Sequence, residues 1–120
     1  MSLIEPGEVK TPIWDKGEAT ADDVERSLDD IGRQRYQWVL DQTRGFLDEG
    51  RRKGVPPAKV ADAVEHALTA TRPKARYLVG PDAKLMGHVV TRLPDRARDA
   101  FVRIASRRWE ARGRKLRRTS

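Results

Sequence analysis

The opening stretch of the chain, residues 2–17, constrains the fold more than any other. A short apolar run there is closed by Pro6 and Gly7. Proline withholds a ladder hydrogen bond and glycine tolerates positive φ, so this ending predicts a strand that leads into a turn. We predict that strand over residues 1–5. Because a strand needs a partner, we predict a second strand over residues 75–79, closed by the Gly-Pro pair that follows it.

Helical periodicity fills the rest of the chain. We predict helices within residues 19–50, a crossover helix over 57–71 that begins at Pro57, and further helices within 83–112. A strand, a long helical crossover and a second strand form a parallel unit by default. We therefore predict a helix-rich α/β fold with two parallel strands. Ligands of such sheets lie at the carboxyl ends of the strands, which places residues 6–11 on the functional edge.

The net charge of +7 is concentrated at the end of the chain. Residues 101–120 contain one acid, Glu110, so the first hundred residues are neutral overall. Beyond Arg112 the apolar period fades, and we expect residues 113–120 to form a disordered basic tail. Such a segment is able to bind nucleic acid or an anionic membrane, but we favour a solvated helix face with neither partner. The basic residues of this segment are Arg103, Arg107, Arg108, Arg112, Arg114, Lys115, Arg117 and Arg118.

Several classes of site find no support in the sequence. Without cysteine the chain has no disulfide and no thiolate metal site. His66 and His88 lack a second histidine or carboxylate three or four residues further along the chain, so we expect no metal site and interpret both as surface or boundary residues. No apolar run reaches the roughly 20 residues of a membrane span and no signal peptide is visible, so we expect a cytoplasmic protein.

The turn after the first strand also carries a resemblance. Pro6, Gly7, Val9 and Thr11 form the pattern PG-x-V-x-T, which resembles the end of the sixth strand in the short-chain dehydrogenase/reductase family. Residues 56–83 are similar to that family's last crossover helix and seventh strand. The resemblance implies the C-terminal part of a Rossmann-like, doubly wound fold. It also implies that the four residues of the pattern contact an NAD(P) cofactor.

The segment Thr11–Trp14, TPIW, is most similar to the branch of the family that acts on hydroxysteroids, retinol and other apolar alcohols. By this resemblance Ile13, Trp14 and Tyr36 belong to the substrate lid. A second interpretation stays open, in which the aromatic residues of this region only pack a helical hairpin. LPDR, at residues 93–96, extends the resemblance towards the end of the chain.

Two motifs of the family are absent from this chain. The glycine-rich turn TG-x-x-x-G-x-G has no counterpart, and Tyr-x-x-x-Lys is missing because Leu40 follows Tyr36 and Pro81 follows Tyr77 at that spacing. We therefore assign no catalytic residue. The resemblance implies the last part of an enzyme that passes a hydride between NAD(P) and an apolar alcohol or ketone, and we expect this part to be inactive alone.

The same resemblance predicts how the chain associates. The family's last helix and strand often form a subunit contact, so we expect self-association through residues 57–79. Two strands alone would leave open apolar edges, which gives a further reason to expect a partner.

Overall fold

The computed structural model describes residues 1–119, which form two strands and five α-helices. In chain order these are β1 (Leu3–Pro6), α1 (Ile13–Ser27), α2 (Asp30–Lys53), α3 (Pro57–Thr69), β2 (Arg76–Val79), α4 (Pro81–His88) and α5 (Asp95–Thr119). A 3₁₀ turn, Val90–Arg92, joins α4 to α5.

The two strands pair in parallel, as the sequence predicts. Leu3 lies opposite Arg76 and Pro6 lies opposite Val79. Helix α3 lies in the crossover between the strands and packs on both of them. The protein is therefore a helix-rich α/β chain with two parallel strands, consistent with a fragment of a Rossmann-like fold.

Helices α1 and α2 form an antiparallel hairpin. Arg51, near the end of α2, pairs with Asp15 at the start of α1 (3.0 Å), whereas Arg44 pairs with Asp22 (2.6 Å) and Glu25 (2.5 Å) further along. Asp29 caps α2 by accepting a hydrogen bond from the backbone N–H of Gly32 at 2.7 Å. These ion pairs hold the hairpin in register.

Helix α5 packs along α2 in the opposite direction. Gly45 of α2 lies against the backbone of Trp109, and Gly113 of α5 lies against the backbone of Asp41. At both points a Cβ on the glycine would overlap a carbonyl oxygen, so the two glycines permit the close approach of the helices.

Several predicted boundaries are wrong. The first helix begins at Ile13, ahead of residue 19, because Pro12 already has helical φ and ψ. Helix α2 passes Gly50 and ends at Lys53, with Gly54 as its C-cap. The predicted disordered tail is also wrong over residues 113–119, which are helical because Gly113 is buried against α2. Ser120 lies outside the described residues.

Burial is incomplete for a chain of this length. Only Ala21, Leu40, Val79 and Val90 are buried apolar residues within residues 1–119, while the side chain of Leu68 is 81% exposed. The radius of gyration is 17.6 Å, against about 13.6 Å for a compact domain of this length. Among the described helices, none combines the length and apolar character that a membrane crossing requires.

Candidate functional site: the loop after the first strand

The loop of residues 6–11 continues β1 and is anchored by backbone hydrogen bonds. The N–H of Gly7 donates to the carbonyl of Val79 at 2.9 Å. Further on, the N–H of Lys10 donates to the carbonyl of Val55 (2.9 Å), and the N–H of Val55 donates to the carbonyl of Glu8 (2.8 Å). The segment just before α3 therefore holds the loop beside the sheet.

Asp82 anchors the same loop from the first turn of α4. Its carboxylate accepts a hydrogen bond from the N–H of Glu8 at 2.5 Å. It also lies so close to Gly7 that a Cβ there would overlap it, which explains why glycine follows Pro6. Gly80, with φ of 109°, makes the turn that brings Asp82 to this position. Asp82 was not among the residues predicted for this site, although an acid in the first turn of a helix after Gly-Pro is a recognisable local signal.

An open, mostly apolar groove of about 800 Å³ lies between this loop and α3. Three of the four predicted cofactor residues, Pro6, Val9 and Thr11, line it, whereas Gly7 does not. The N–H of Val9 and the hydroxyl of Thr11 have no hydrogen-bond partner within residues 1–119. The opposite wall is the apolar stripe of α3, formed by Val60, Ala61, Val64 and Leu68.

Trp14 joins the α1–α2 hairpin to the loop. Its indole N–H donates to the carbonyl of Val9 at 2.7 Å, and its ring meets that of Phe46 edge to face at a centroid distance of 5.7 Å. Phe46 contacts Trp109 in the same way at 5.1 Å, and the indole N–H of Trp109 donates to Glu49 at 2.7 Å. Edge-to-face contacts among Trp14, Phe46 and Trp109 thus connect the start of α1, beside the loop, with α2 and α5. In this structure Trp14 is a packing residue.

The other two residues that were predicted for a substrate lid, Ile13 and Tyr36, do not lie near each other. Ile13 begins α1 beside the loop and is 63% exposed. Tyr36 lies on α2 and is 55% exposed. The side chain of its neighbour Gln37 donates a hydrogen bond to Glu25 near the end of α1, so Tyr36 lies beside that end of α1. A 15-residue helix spans about 22 Å at 1.5 Å per residue, so Ile13 and Tyr36 lie at opposite ends of the hairpin.

Glu8 of the loop lies near two other carboxylates, Asp82 and Glu49, and near one lysine, Lys53. Partial burial raises the pKa of Glu8, and the neighbouring carboxylates of Asp82 and Glu49 raise it further. The pKa of Glu49 itself is lowered, first by its hydrogen bond from Lys53 and then by that from Trp109. The loop therefore carries a carboxyl group that prefers the neutral form more than an exposed glutamate does.

Part of the basic charge of α5 is used within the fold. Arg117 donates to both oxygens of the buried Asp41, at 3.0 and 3.2 Å, and Arg112 pairs with Asp48 of α2. Arg114 pairs with Glu110 on its own helix at 2.8 Å. Within residues 1–119, three of the eight basic residues thus have carboxylate partners, two of them across the α2–α5 contact.

Neither histidine belongs to a metal site in the described chain. His66 contacts the hydroxyl of Tyr77 through Nδ1 at 2.8 Å, which joins α3 to β2. Within residues 1–119 no three histidine or acidic side chains are grouped to hold a metal ion.

These features define the class of the protein. It is an α/β chain whose parallel strands end beside an anchored loop and an open groove. No model of a protein family matches the chain, and no solved structure matches it.

Three characterised proteins are similar to it in sequence. The NADPH-dependent 3-dehydrocapnine reductase of Ornithobacterium rhinotracheale is 33% identical over 97 residues, which is 81% of this chain and 32% of the reductase. The 17-beta-hydroxysteroid dehydrogenase type 6 of Rattus norvegicus is 30% identical over 118 residues, 90% of this chain and 35% of the dehydrogenase. The Mus musculus protein of the same name is 31% identical over 115 residues, 88% of this chain and 34% of that protein.

The chain spans about a third of the length of these relatives. It is therefore a distant homologue of proteins named as dehydrogenases and reductases, and the resemblance to an oxidoreductase family is confirmed at that level.

Proposed function

We propose that this chain is the C-terminal part of an NAD(P)-dependent short-chain dehydrogenase/reductase that acts on an apolar alcohol or ketone, and that it is inactive alone. The observation that carries the proposal is the anchored loop at the carboxyl end of β1, which leaves the N–H of Val9 and the hydroxyl of Thr11 without partners in the described chain. The names of the relatives, one an NADPH-dependent reductase and two hydroxysteroid dehydrogenases, support the same reaction class.

The loop fits a nicotinamide cofactor at one edge. The N–H of Val9 and the hydroxyl of Thr11 are available donors for a carboxamide or a phosphate oxygen. The N–H of Gly7 is bonded to the carbonyl of Val79 at the end of β2, and Pro6 adds an apolar surface to the groove. When bound, the nicotinamide would supply or accept the hydride. The residues of this chain would orient the nicotinamide. The groups that transfer the proton would come from the part of the enzyme outside this chain.

Residues outside this chain would complete the fold. The outer edge of β1 carries no strand within the described residues, and the exposed stripe of α3 lies beside that edge. A third parallel strand and its helix would cover both surfaces. The large radius of gyration and the exposure of Leu68 support this arrangement.

The α1–α2 hairpin would act as the substrate lid. Thr11 lines the groove, and Ile13 follows it as an exposed apolar residue at the first turn of α1. We assign substrate contact to Ile13, because Trp14 is already used to fasten the hairpin to the loop. An apolar side chain at the mouth of an apolar groove suits an apolar alcohol or ketone.

The reading frame upstream of codon 1 provides the first test. We expect it to encode a glycine-rich turn and then Tyr-x-x-x-Lys. The longer polypeptide should oxidise or reduce apolar substrates with NAD(P), and the 120-residue chain alone should not. A frame that closes immediately before Met1 would contradict the proposal.

The role of the loop is tested in that longer polypeptide. Thr11→Val should raise the KM for the cofactor about tenfold, since one hydrogen bond to a charged group contributes about 1.5 kcal/mol. Thr71→Val is the matched control, because Thr71 is exposed and makes no hydrogen bond within the described chain. Equal KM values for the two variants would exclude Thr11 from the cofactor site.

We also propose that the isolated chain self-associates through residues 57–79. Leu68, exposed on α3, is the central apolar residue of that surface. Sedimentation velocity should show a concentration-dependent dimer that Leu68→Gln weakens. Ile31→Gln is the control, because Ile31 is equally apolar and 61% exposed on the distant hairpin. A monomer at all concentrations would contradict this proposal.

A further inference from the structure

A second groove, distinct from the one beside the loop, runs along the outer edge of β2. Its floor is the strand itself, including Arg76 and Leu78. One wall is α3, represented by Lys59, and the other is α4 with the 3₁₀ turn, represented by Lys84 and Arg92. We call it the β2 edge groove. It encloses about 770 Å³ and is less open than the groove beside the loop.

The β2 edge groove is strongly cationic. Lys59, Lys74, Lys84 and Arg92 line it, and none of them has an ion pair within residues 1–119. A fifth cation, Arg76, is neutralised by Glu5 at 2.6 Å. His88 also lines the groove, but no aspartate or glutamate does. Four uncompensated cations therefore surround one concave surface.

The floor of the groove offers unpaired backbone groups. Leu3 donates to the carbonyl of Ala75 and Gly7 to that of Val79, both at 2.9 Å. Because the peptide groups of a strand alternate in direction, those of Arg76 and Leu78 face away from β1. Within the described chain no strand lies on that side. An open strand edge is a template for a further strand.

We propose that the β2 edge groove binds an acidic segment of a partner polypeptide in an extended conformation. The segment adds a third strand to the sheet beside β2, and its carboxylates lie between the lysines of the two walls. Main-chain hydrogen bonds supply affinity in this mode of recognition, and side-chain contacts supply specificity. Four strand residues span about 13 Å, so roughly four to six residues of the partner fit the groove.

The positive charge of the β2 edge groove favours an acidic segment over a second copy of this chain as the occupant. Two copies paired edge to edge on β2 would bring the same four cations together, which opposes association. The self-association proposed above uses a different face of α3, since Val64 and Leu68 line the other groove whereas Lys59 and Ala63 line this one. An acidic strand satisfies both the free peptide groups and the cations.

The first experiment measures binding of a fluorescein-labelled, terminally blocked octapeptide of alternating threonine and glutamate by anisotropy. We expect saturable binding that the double variant Lys59→Gln/Lys84→Gln weakens at least tenfold. The double variant Lys16→Gln/Lys115→Gln removes the same charge from exposed positions outside the groove and should change the Kd less than twofold. Circular dichroism checks that both variants fold. Equal weakening by the two variants, or no binding, would overturn the proposal.

A second experiment tests the strand pairing itself. Hydrogen exchange at the amides of Arg76 and Leu78 should slow when the peptide binds. A peptide with alternate amides N-methylated on the pairing edge keeps its charge and should bind at least tenfold more weakly. If the methylated peptide binds equally well, the groove recognises charge alone. If a single-stranded oligonucleotide binds more tightly than the peptide and displaces it, the partner is a nucleic acid; either result overturns the proposal.

Discussion

The backbone of Gly113 in α5 lies directly against the carbonyl group of Asp41 in α2, with no room for a side chain between them. Four residues earlier, Trp109 lies against Gly45 of α2 in the same way. These two contacts set the spacing of the longest helix pair in the protein. They also explain why the basic end of the chain is helical through Thr119.

Gly113→Ala should destabilise the protein. The added methyl would overlap a backbone carbonyl, which cannot rotate away as a side chain can, and such overpacking costs about 1–3 kcal/mol. Urea unfolding followed by circular dichroism measures the loss. Gly17→Ala is the control, because its methyl would meet only the flexible end of Leu47 and alanine favours the helix. A harmless Gly113→Ala would contradict the close approach.

Arg117→Met should also reduce stability. The carboxylate of Asp41 is 5% exposed, and the guanidinium of Arg117 donates to both of its oxygens. Loss of the partner leaves a buried charge, but Arg117 is partly exposed, so we expect about 2 kcal/mol, less than for a fully buried pair. Arg118→Met, one residue on and without an ion pair in the described chain, should have little effect. The free energy of unfolding of each variant decides.

Trp14→Phe removes the hydrogen bond that joins the α1–α2 hairpin to the loop, together with the indole's benzo ring, which lies against Gly50. Phenylalanine keeps an aromatic ring near Phe46 but cannot donate to the carbonyl of Val9, so the variant should lose about 1 kcal/mol from the hydrogen bond and a further amount from the space left beside Gly50. Hydrogen exchange at Lys10, which is bonded to Val55, should become faster. Trp38→Phe is the control, because Trp38 is 55% exposed and makes no hydrogen bond within the described residues. If both variants behave alike, Trp14 does not anchor the loop.

Acid should destabilise the fold through three glutamates. Hydrogen bonds from Arg76, Arg44 and Lys53 lower the pKa values of Glu5, Glu25 and Glu49, respectively. The unfolded chain, with ordinary values of 4.5, takes up protons first, so this contribution is complete above that pH and is lost as pH falls below it. Urea midpoints measured across that range should decrease towards low pH.

Two variants distinguish the contribution of these glutamates to the pH dependence of stability from other effects of acid. Glu25→Gln should weaken the pH dependence, whereas Asp99→Asn, at an exposed position without an ion pair in the described chain, should leave it unchanged. Equal slopes for Glu25→Gln and the parent protein would refute the role of Glu25.

Ionisation of Glu8 should have the opposite effect on the pH dependence of stability. Burial and the carboxylates of Asp82 and Glu49 raise its pKa, so its charged form destabilises the fold and the penalty grows as pH rises through that pKa. Glu8→Gln should therefore raise the urea midpoint slightly near neutral pH, and this gain should disappear in acid. Glu18→Gln, which instead removes a partner of Arg51, should not raise the midpoint. A lower midpoint for Glu8→Gln at neutral pH would contradict the assignment.

Local signals predicted both strands and the crossover helix. Pro-Gly after β1, Pro57 at the start of α3 and Gly80 after β2 act within a few residues, so their effects could be read without tertiary structure. The start of α1 at Ile13 was missed because the polar residues that follow it, including Gly17, suggest a loop. Contacts with α2 stabilise that turn of helix, and propensity alone does not report them.

The cofactor role of the loop after β1 stays a prediction. One short sequence pattern singled out Pro6, Val9 and Thr11, and the structure places these three residues along one groove. Asp82, 74 residues from Glu8 along the chain, was not identified, although it holds the loop in place. A hydrogen bond between residues so far apart leaves no periodic trace in the sequence.

The sequence by itself determined the class of the fold and the position of the turn that follows β1, because turn residues and hydrophobic periods act locally. Only the tertiary structure decided that Trp14 packs while Ile13 stays exposed, and that the chain is helical to Thr119. It also gathered Lys59, Lys74, Lys84 and Arg92 around β2. Those outcomes depend on which helix lies against which, and burial and charge compensation are properties of that packing.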